Sequence, residues 1–420
     1  MNKIIVAGIA LLCAFAARSQ SDEKPKVDIY GFVRVDAYVD SYKGVDAGHD
    51  IFYLLPLYVV TNGVEVNKQP SSNISAVASR LGVRVSFPEV LNAKATGLIE
   101  FDFAGNLKSD PTLFRIRQAY SLFSWEKSSL LVGQTWHPFF GGSAVPVVAG
   151  LNTGAPFSCF NRSPMIRYNM ALGRFSVSAA AVSEMQYCSP LADMADFSFL
   201  LTTNHAKRNA LVPELVFTTE YNQAAVTVGA GAGYKRIKPR MLISGTEESA
   251  VADEFLSSAT YMAYGRYKKD KFMFLLKTYL GENMSHLVMP GGYGVASLDP
   301  QTGRETYTSY TTYTTSLSVV YGRKWRVGMF GGYGGNLGTD KPLYSDDGKA
   351  KTYGSFLNMQ KMYRVAPHIS LNLKNFRLVG EYEMTAANYG TGTIDFSNGL
   401  FSSTHKAINN RGIISLTHSF

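Results

Sequence analysis

Acids and arginines alternate with apolar residues in FDFAGNLKSDPTLFRIRQAYSLF, residues 101–123. Glu100 and Asp102 flank Phe101, and Arg115 and Arg117 flank Ile116, so each half carries charge on one face and apolar side chains on the other. Turn formers from Gly105-Asn106 to Asp110-Pro111 fold the halves back on each other. A turn centred between Lys108 and Ser109 sets Glu100 opposite Arg117 and Asp102 opposite Arg115, giving two cross-strand ion pairs on one face. Upstream, in SRLGVRVSF, a turn at Pro88 to Ala93 brings Arg80 near Glu100 or Asp102 and leaves Arg84 beside Leu98 with no carboxylate. Such a set can hold anions, because the guanidinium group is a permanently charged planar fork that matches carboxylate or phosphate. The hairpin itself allows two readings: a soluble sandwich with a solvated charged face, or a wall with phenylalanines toward lipid and ion pairs toward water.

Other reactive residue types form no comparable pattern. His49, His137, His205, His286, His368, His405 and His418 are scattered without metal-ligand spacing, and no serine or cysteine lies in a nucleophile motif. Gly229 to Gly233 contains a GxGxG, but no helix follows, so its small residues read as close packing within a sheet or at a subunit interface. The sequence therefore predicts no catalytic, cofactor or metal site and no enzyme activity. Cys159 and Cys188 lie at nearly equal distances from a turn at Ala171 to Arg174. That spacing predicts a disulfide across the outer end of the hairpin, with two free thiols as the alternative.

The elements that would position these residues are strands. The chain opens MNKIIVAGIALLCAFAARSQ, the charged start, short apolar run and small-residue cleavage site of an export leader over residues 1–19. Cleavage removes Lys3 and Arg18 from a chain of formal net charge +9, leaves a short segment 20–26, and exports a domain spanning 27–420. That domain has no run of about 18 apolar residues that could cross a membrane as a helix. It has instead about sixteen segments of period-two alternation, from VDIYGFVRVDAYVD at Val27 to RGIISLTHSF at Arg411. Short connections such as Leu172-Gly173 and Gly322-Arg323 alternate with long ones such as 138–163 and 188–212. This asymmetry predicts an all-β transmembrane antiparallel barrel with tight periplasmic turns, long extracellular loops and a first strand paired to the last. With 25 Tyr, 25 Phe and 38 Gly against 16 Pro, the composition also suits a strand-built wall.

Parity places Arg34, Arg80, Arg84, Arg115, Arg117, Arg167, Arg174, Arg266, Lys277, Arg326, Arg364, Arg377 and Arg411 inside such a barrel. The acids on the same faces are Asp36, Asp40, Glu100, Asp102, Glu214, Glu220, Glu381 and Glu383. A low-dielectric tube with net positive charge concentrates anions and repels cations. Arg80, Arg84, Arg115 and Arg117 form the expected basic wall, with Arg34 and Arg167 also lining the pore. The third long loop, HPFFGGSAVPVVAGLNTGAPFSCFNRS, is apolar where an exposed loop would be polar. It either folds into the barrel and narrows it or packs against a neighbouring subunit.

SRLGVRVSFPEVLNAKATGLIEFDFAG, LFRIRQAYSLF, LLVGQTWHPF, IYGFVRVDAYVD and the terminal Phe420 together resemble the DcaP-like trimeric outer-membrane porins, most densely from Val27 to Phe140. The resemblance implies a sixteen-stranded trimeric channel for small anions such as dicarboxylates, with its constriction at Arg80, Arg84, Arg115 and Arg117. Several such porins carry a periplasmic coiled coil before the barrel, where the expected mature chain has only Gln20 to Lys26. The expected function is passive passage of small anionic solutes across a Gram-negative outer membrane, with lipid and lipopolysaccharide as surroundings, no nucleic acid and no cofactor. The alternatives are a barrel acting through its loops as an adhesin or receptor, and a barrel hydrolase with a nucleophile at its outer rim.

Overall fold

Alternation of apolar and polar residues dictates a sheet with two unlike faces, and the closed form of that sheet is what the chain adopts. The computed structural model describes residues 24–46, 50–105, 113–192, 204–243 and 250–420. Sixteen antiparallel strands form the wall, and three short strands, Ser71–Ser75, Gly291–Leu298 and Thr352–Ser355, extend the same sheet. The expected leader, residues 1–19, lies outside the described residues, as does most of the turn between residues 105 and 113.

In chain order the wall strands are β1 Lys26–Asp40, β2 Arg80–Val90, β3 Ala93–Asp102, β4 Arg115–Ser124, β5 Ser128–Trp136 and β6 Arg162–Leu172. They continue as β7 Phe175–Val182, β8 Glu214–Gln223, β9 Val226–Ile237, β10 Leu256–Lys269 and β11 Phe272–Glu282. The wall finishes with β12 Glu305–Gly322, β13 Trp325–Thr339, β14 Met359–Asn372, β15 Phe376–Gly390 and β16 Thr404–Ser419. The ring closes between β1 and β16, in register from Phe32 opposite Ser419 to Asp40 opposite Arg411. Closure leaves no unpaired edge along the wall, the condition for placing backbone in hydrocarbon.

The faces separate as parity requires. On β1, Ile29 and Val39 are 66% and 58% exposed on the outside, whereas Asp36 and Asp40 are buried within. On β16, Ile414 points out while Arg411 and Ser415 are buried, and Phe420 just after it is exposed. Outward leucines, valines and aromatics recur on the other strands, forming the apolar band of a surface solvated by lipid.

Three local expectations are corrected. β7 stops at Val182, although the expected strand RFSVSAAAVSEMQY from Arg174 runs to Tyr187, because Glu184 turns inward to accept from the Ser189 amide and hydroxyl, both at 2.7 Å. β14 starts at Met359, whereas the alternating run HISLNL in the sequence begins at His368, and it accommodates Pro367 with its ring on the outer face. The disulfide is not formed: Cys159 and Cys188 are free and buried. The β6–β7 ladder ends at Met165 opposite Val182. Beyond it Phe160 donates its amide to Leu287 O at 2.9 Å and draws Cys159 into the barrel, while the Cys188 thiol turns to Met185 O at 3.6 Å.

Candidate functional site

The site is built on β2, β3 and β4, whose inward positions carry the charged residues singled out above. Asp102 faces Arg115 in register, but a β-bulge after Glu100 pairs Glu100 with Gln118 and leaves Arg117 between the two acids. Both expected ion pairs nonetheless form. Arg115 grips Asp102 through Nε and Nη2 at 2.9 and 2.8 Å, and Arg117 reaches Glu100 at 2.9 Å and Asp102 at 2.7 Å. The bulge turns two separate pairs into one connected network, which is more than simple alternation supplies.

Arg80 lies opposite Asp102, 3.7 Å from Glu100, with its guanidinium over the Phe32 ring. Arg84 lies opposite Leu98, exposed in the lumen, and its nearest described partner is the face of Tyr30 at 5.5 Å. Tyr30 in turn donates to Glu100 at 3.2 Å. Arg167, on β6, makes no described ion pair, and its Nε has no hydrogen-bond partner. Tyr120 on β4 sits within electrostatic reach of both Arg84 and Arg167 and links the two ends of the row.

Arg162, the first residue of β6, joins this wall although the alternation at Met165 did not reach back to it. It is fully buried between Trp136 and Phe160, with its guanidinium 4.7 and 5.4 Å from their ring centres. Its Nε donates to Gln186 at 2.8 Å, and both terminal nitrogens lack a protein partner. Tyr187, in the loop after β7, lies beside Arg115 and Arg162. Burial raises its phenol above the usual range against their pull, so it stays a neutral hydroxyl. Arg80, Arg84, Arg115, Arg117, Arg162 and Arg167 thus share one wall with Glu100 and Asp102 as its acids, leaving a net positive face. Exposed ion pairs contribute little, but a network lining a narrow low-dielectric passage sets its potential.

Several other predicted pore residues serve a different purpose. The loop 137–161 folds into the barrel, and inward basic side chains hold its carbonyl groups. Arg34 donates to Ala149 O at 2.6 Å while paired with Asp36, Arg266 to Ser143 O at 2.8 Å, and Arg364 to Ala155 O at 3.0 Å. Lys277, fully buried on β11, donates to Phe140 O at 2.6 Å and Ala144 O at 3.2 Å. Acids of the wall take the remaining polar groups: Glu381 accepts from the Ala149 amide at 2.8 Å and Glu220 from Ser143 Oγ at 2.6 Å. The apolar residues that made this loop unusual pack on small residues of the wall. Phe139 lies on Gly231 and Gly233, where an added Cβ would meet its ring at 3.0 Å, and Phe157 lies on Gly332 at 2.5 Å. The glycines of β9 thus serve close packing inside the barrel. Arg411 donates to Asp50 O at 2.7 Å in the first loop, and Arg174 and Arg326 are exposed at the short-turn end.

The inward loop leaves a polar cavity of about 310 Å³ against the wall, lined by Pro138, Gly141, Ser143, Arg167, Thr218 and Glu220. Lys277→Met is expected to free two loop carbonyls at a cost of about 1–3 kcal/mol each. Single-channel recording should then show larger and noisier open steps than the parent; unchanged steps would mean that this loop does not narrow the passage.

No protein-family model matches the sequence, and no curated protein matches it. Solved structures match along nearly the whole chain. The outer-membrane channel DcaP of Acinetobacter baumannii is 19% identical over 96% of this chain and 99% of its own, with a TM-score of 0.67. The trimer form of OmpT, an outer-membrane protein of Vibrio cholerae, is 12% identical over 95% and 100%, with a TM-score of 0.55. An anion-selective porin from Comamonas acidovorans is 10% identical over 94% and 100%, with a TM-score of 0.52. The closed ring of sixteen strands, the loop packed within it and the full-length overlap with these barrels give the chain the outer-membrane porin fold.

Proposed function

We propose that this chain is a porin of a Gram-negative outer membrane, giving passive passage to small, preferably anionic solutes. The observation that carries the reading is the wall of six arginines on β2, β4 and β6, with Glu100 and Asp102 as its acids and Arg84 exposed to the lumen. A diffusing anion meets guanidinium groups already held in place by ion pairs and aromatic faces, so little ordering is required on arrival. A dicarboxylate fits this chemistry, because two separated anionic ends can be passed between successive forks. The assembly we propose is a homotrimer formed through barrel walls and loops, after cleavage of residues 1–19. The similarity to a channel, to a barrel solved in trimer form and to an anion-selective porin supports this reading.

Liposome swelling tests it. Vesicles holding the purified protein are placed in iso-osmotic solutions of a dicarboxylate, a neutral sugar of similar size and a diamine. Swelling fastest in the dicarboxylate and slowest in the diamine is expected. Vesicles that swell in none of them, with the protein folded and inserted, would replace the porin reading with a closed barrel acting through its loops.

A further inference from the structure

His137, Glu214 and His286 are far apart in the chain and meet at one point. His137 follows the last residue of β5, Glu214 begins β8, and His286 sits in the short turn Met284–Leu287 after β11. All three are at most 2% exposed. Nε2 of His137 lies 3.4 Å from Glu214 Oε2, and Nε2 of His286 lies 3.2 Å from the same oxygen. The three ligating atoms all fall within 4.8 Å of one another. Two of them, His137 Nε2 and Glu214 Oε2, have no hydrogen-bond partner although fully buried. Buried polar atoms rarely go unpaired, and two of them aimed at one point call for a missing partner.

The spacing identifies it. Nitrogen and oxygen ligands about 2.0–2.2 Å from a tetrahedral zinc ion stand about 3.3 Å apart, close to the two nitrogen–oxygen separations of 3.4 and 3.2 Å found here. We propose that His137, Glu214 and His286 bind one divalent transition-metal ion of the zinc type. The contacts behind the rings set the direction of both Nε2 atoms, and both contacts must change as the ion binds. Lys235 Nζ meets His286 Nδ1 at 2.8 Å, and the Phe139 amide meets His137 Nδ1 at 3.2 Å, which turns both Nε2 atoms toward Glu214. Ligation through Nε2 leaves the His286 proton on Nδ1. Lys235, whose Nζ donates to Ser189 Oγ at 2.9 Å and to Asn283 O at 2.7 Å, must then release one proton to become an amine that accepts a hydrogen bond from that Nδ1–H. At His137 the Phe139 amide gives up its contact with the ring.

Such an ion ties the start of the inward loop and the loop after β11 to the barrel wall. It gives the narrowing of the lumen a metal-dependent anchor, separate from the arginine wall. The test uses full-length protein in detergent, stripped with chelator and then dialysed against Zn²⁺ or Co²⁺. One ion per chain by elemental analysis is expected, with the intense visible absorption of Co²⁺ held in a non-octahedral protein site. Glu214→Gln and His286→Gln, checked for an intact heat-resistant barrel, should lose the ion. Should those variants fail to fold, the parent alone decides, since Zn²⁺ but not Mg²⁺ must raise its unfolding temperature. A parent that retains well under one ion per chain, or whose Co²⁺ spectrum is that of the hydrated ion, overturns the proposal.

Discussion

Replacing Arg84 and Arg167 together by glutamate is expected to invert the ion selectivity of the pore while leaving the barrel folded. Both guanidinium groups belong to the inner wall, and neither has an ion-pair partner among the described residues. Arg84 is exposed in the lumen against Tyr30, so reversing its charge strands no buried acid. The double change moves the wall by four unit charges where the tube is narrow and its walls are of low dielectric. Charge-lined clefts of this kind alter local ion concentration by about tenfold or more. The ratio of anion to cation permeability, read from the reversal potential under a salt gradient, should therefore fall at least tenfold and favour cations. A variant that stays anion-selective would place the filter elsewhere in the lumen.

Asp102 has the opposite character, and its loss should act on stability. Its carboxylate is fully buried and accepts from Arg115 at two positions, from Arg117 and from the Ala104 amide. Asp102→Ala leaves Arg115 without a carboxylate and Arg117 with Glu100 alone, beside a buried Arg162 that already lacks partners at its terminal nitrogens. Removing one partner of a buried ion pair costs about 3–5 kcal/mol, because the remaining charge stays buried. Urea unfolding of the detergent-solubilised barrel should show a loss of that size, and Asp102→Asn should recover part of it through the retained amide oxygen. A change below about 1 kcal/mol would mean that water already screens these charges.

The wall was legible because lipid on one side and water on the other impose a strict period of two. Ile29, Val33, Val35 and Val39 could not all face outward in any register but the one found. The same rule placed Arg80, Arg84, Arg115 and Arg117 together on the inner face. What alternation cannot carry is an insertion: the bulge at Arg117 shifted its partner by one residue, and the long side chain recovered the pair with Glu100. Alternation also ends where loops begin. Arg162 was missed for that reason, and parity placed Arg34, Arg266, Lys277 and Arg364 on the inner face without showing that loop carbonyls occupy them. Cys159 and Cys188 looked symmetrical about their turn, yet the loop carrying Cys159 is drawn inward by packing on β11 and β13. His137, Glu214 and His286 had no signature at all, since their meeting depends on two loops entering the barrel from different strands.

Reversal potential of the purified parent protein in a planar bilayer, under a gradient of potassium chloride, tests the central claim most directly. Stable open steps whose current reverses near the chloride equilibrium potential are predicted. A silent membrane despite confirmed folding and insertion, or reversal near the potassium potential, would contradict an anion-passing pore built on this arginine wall.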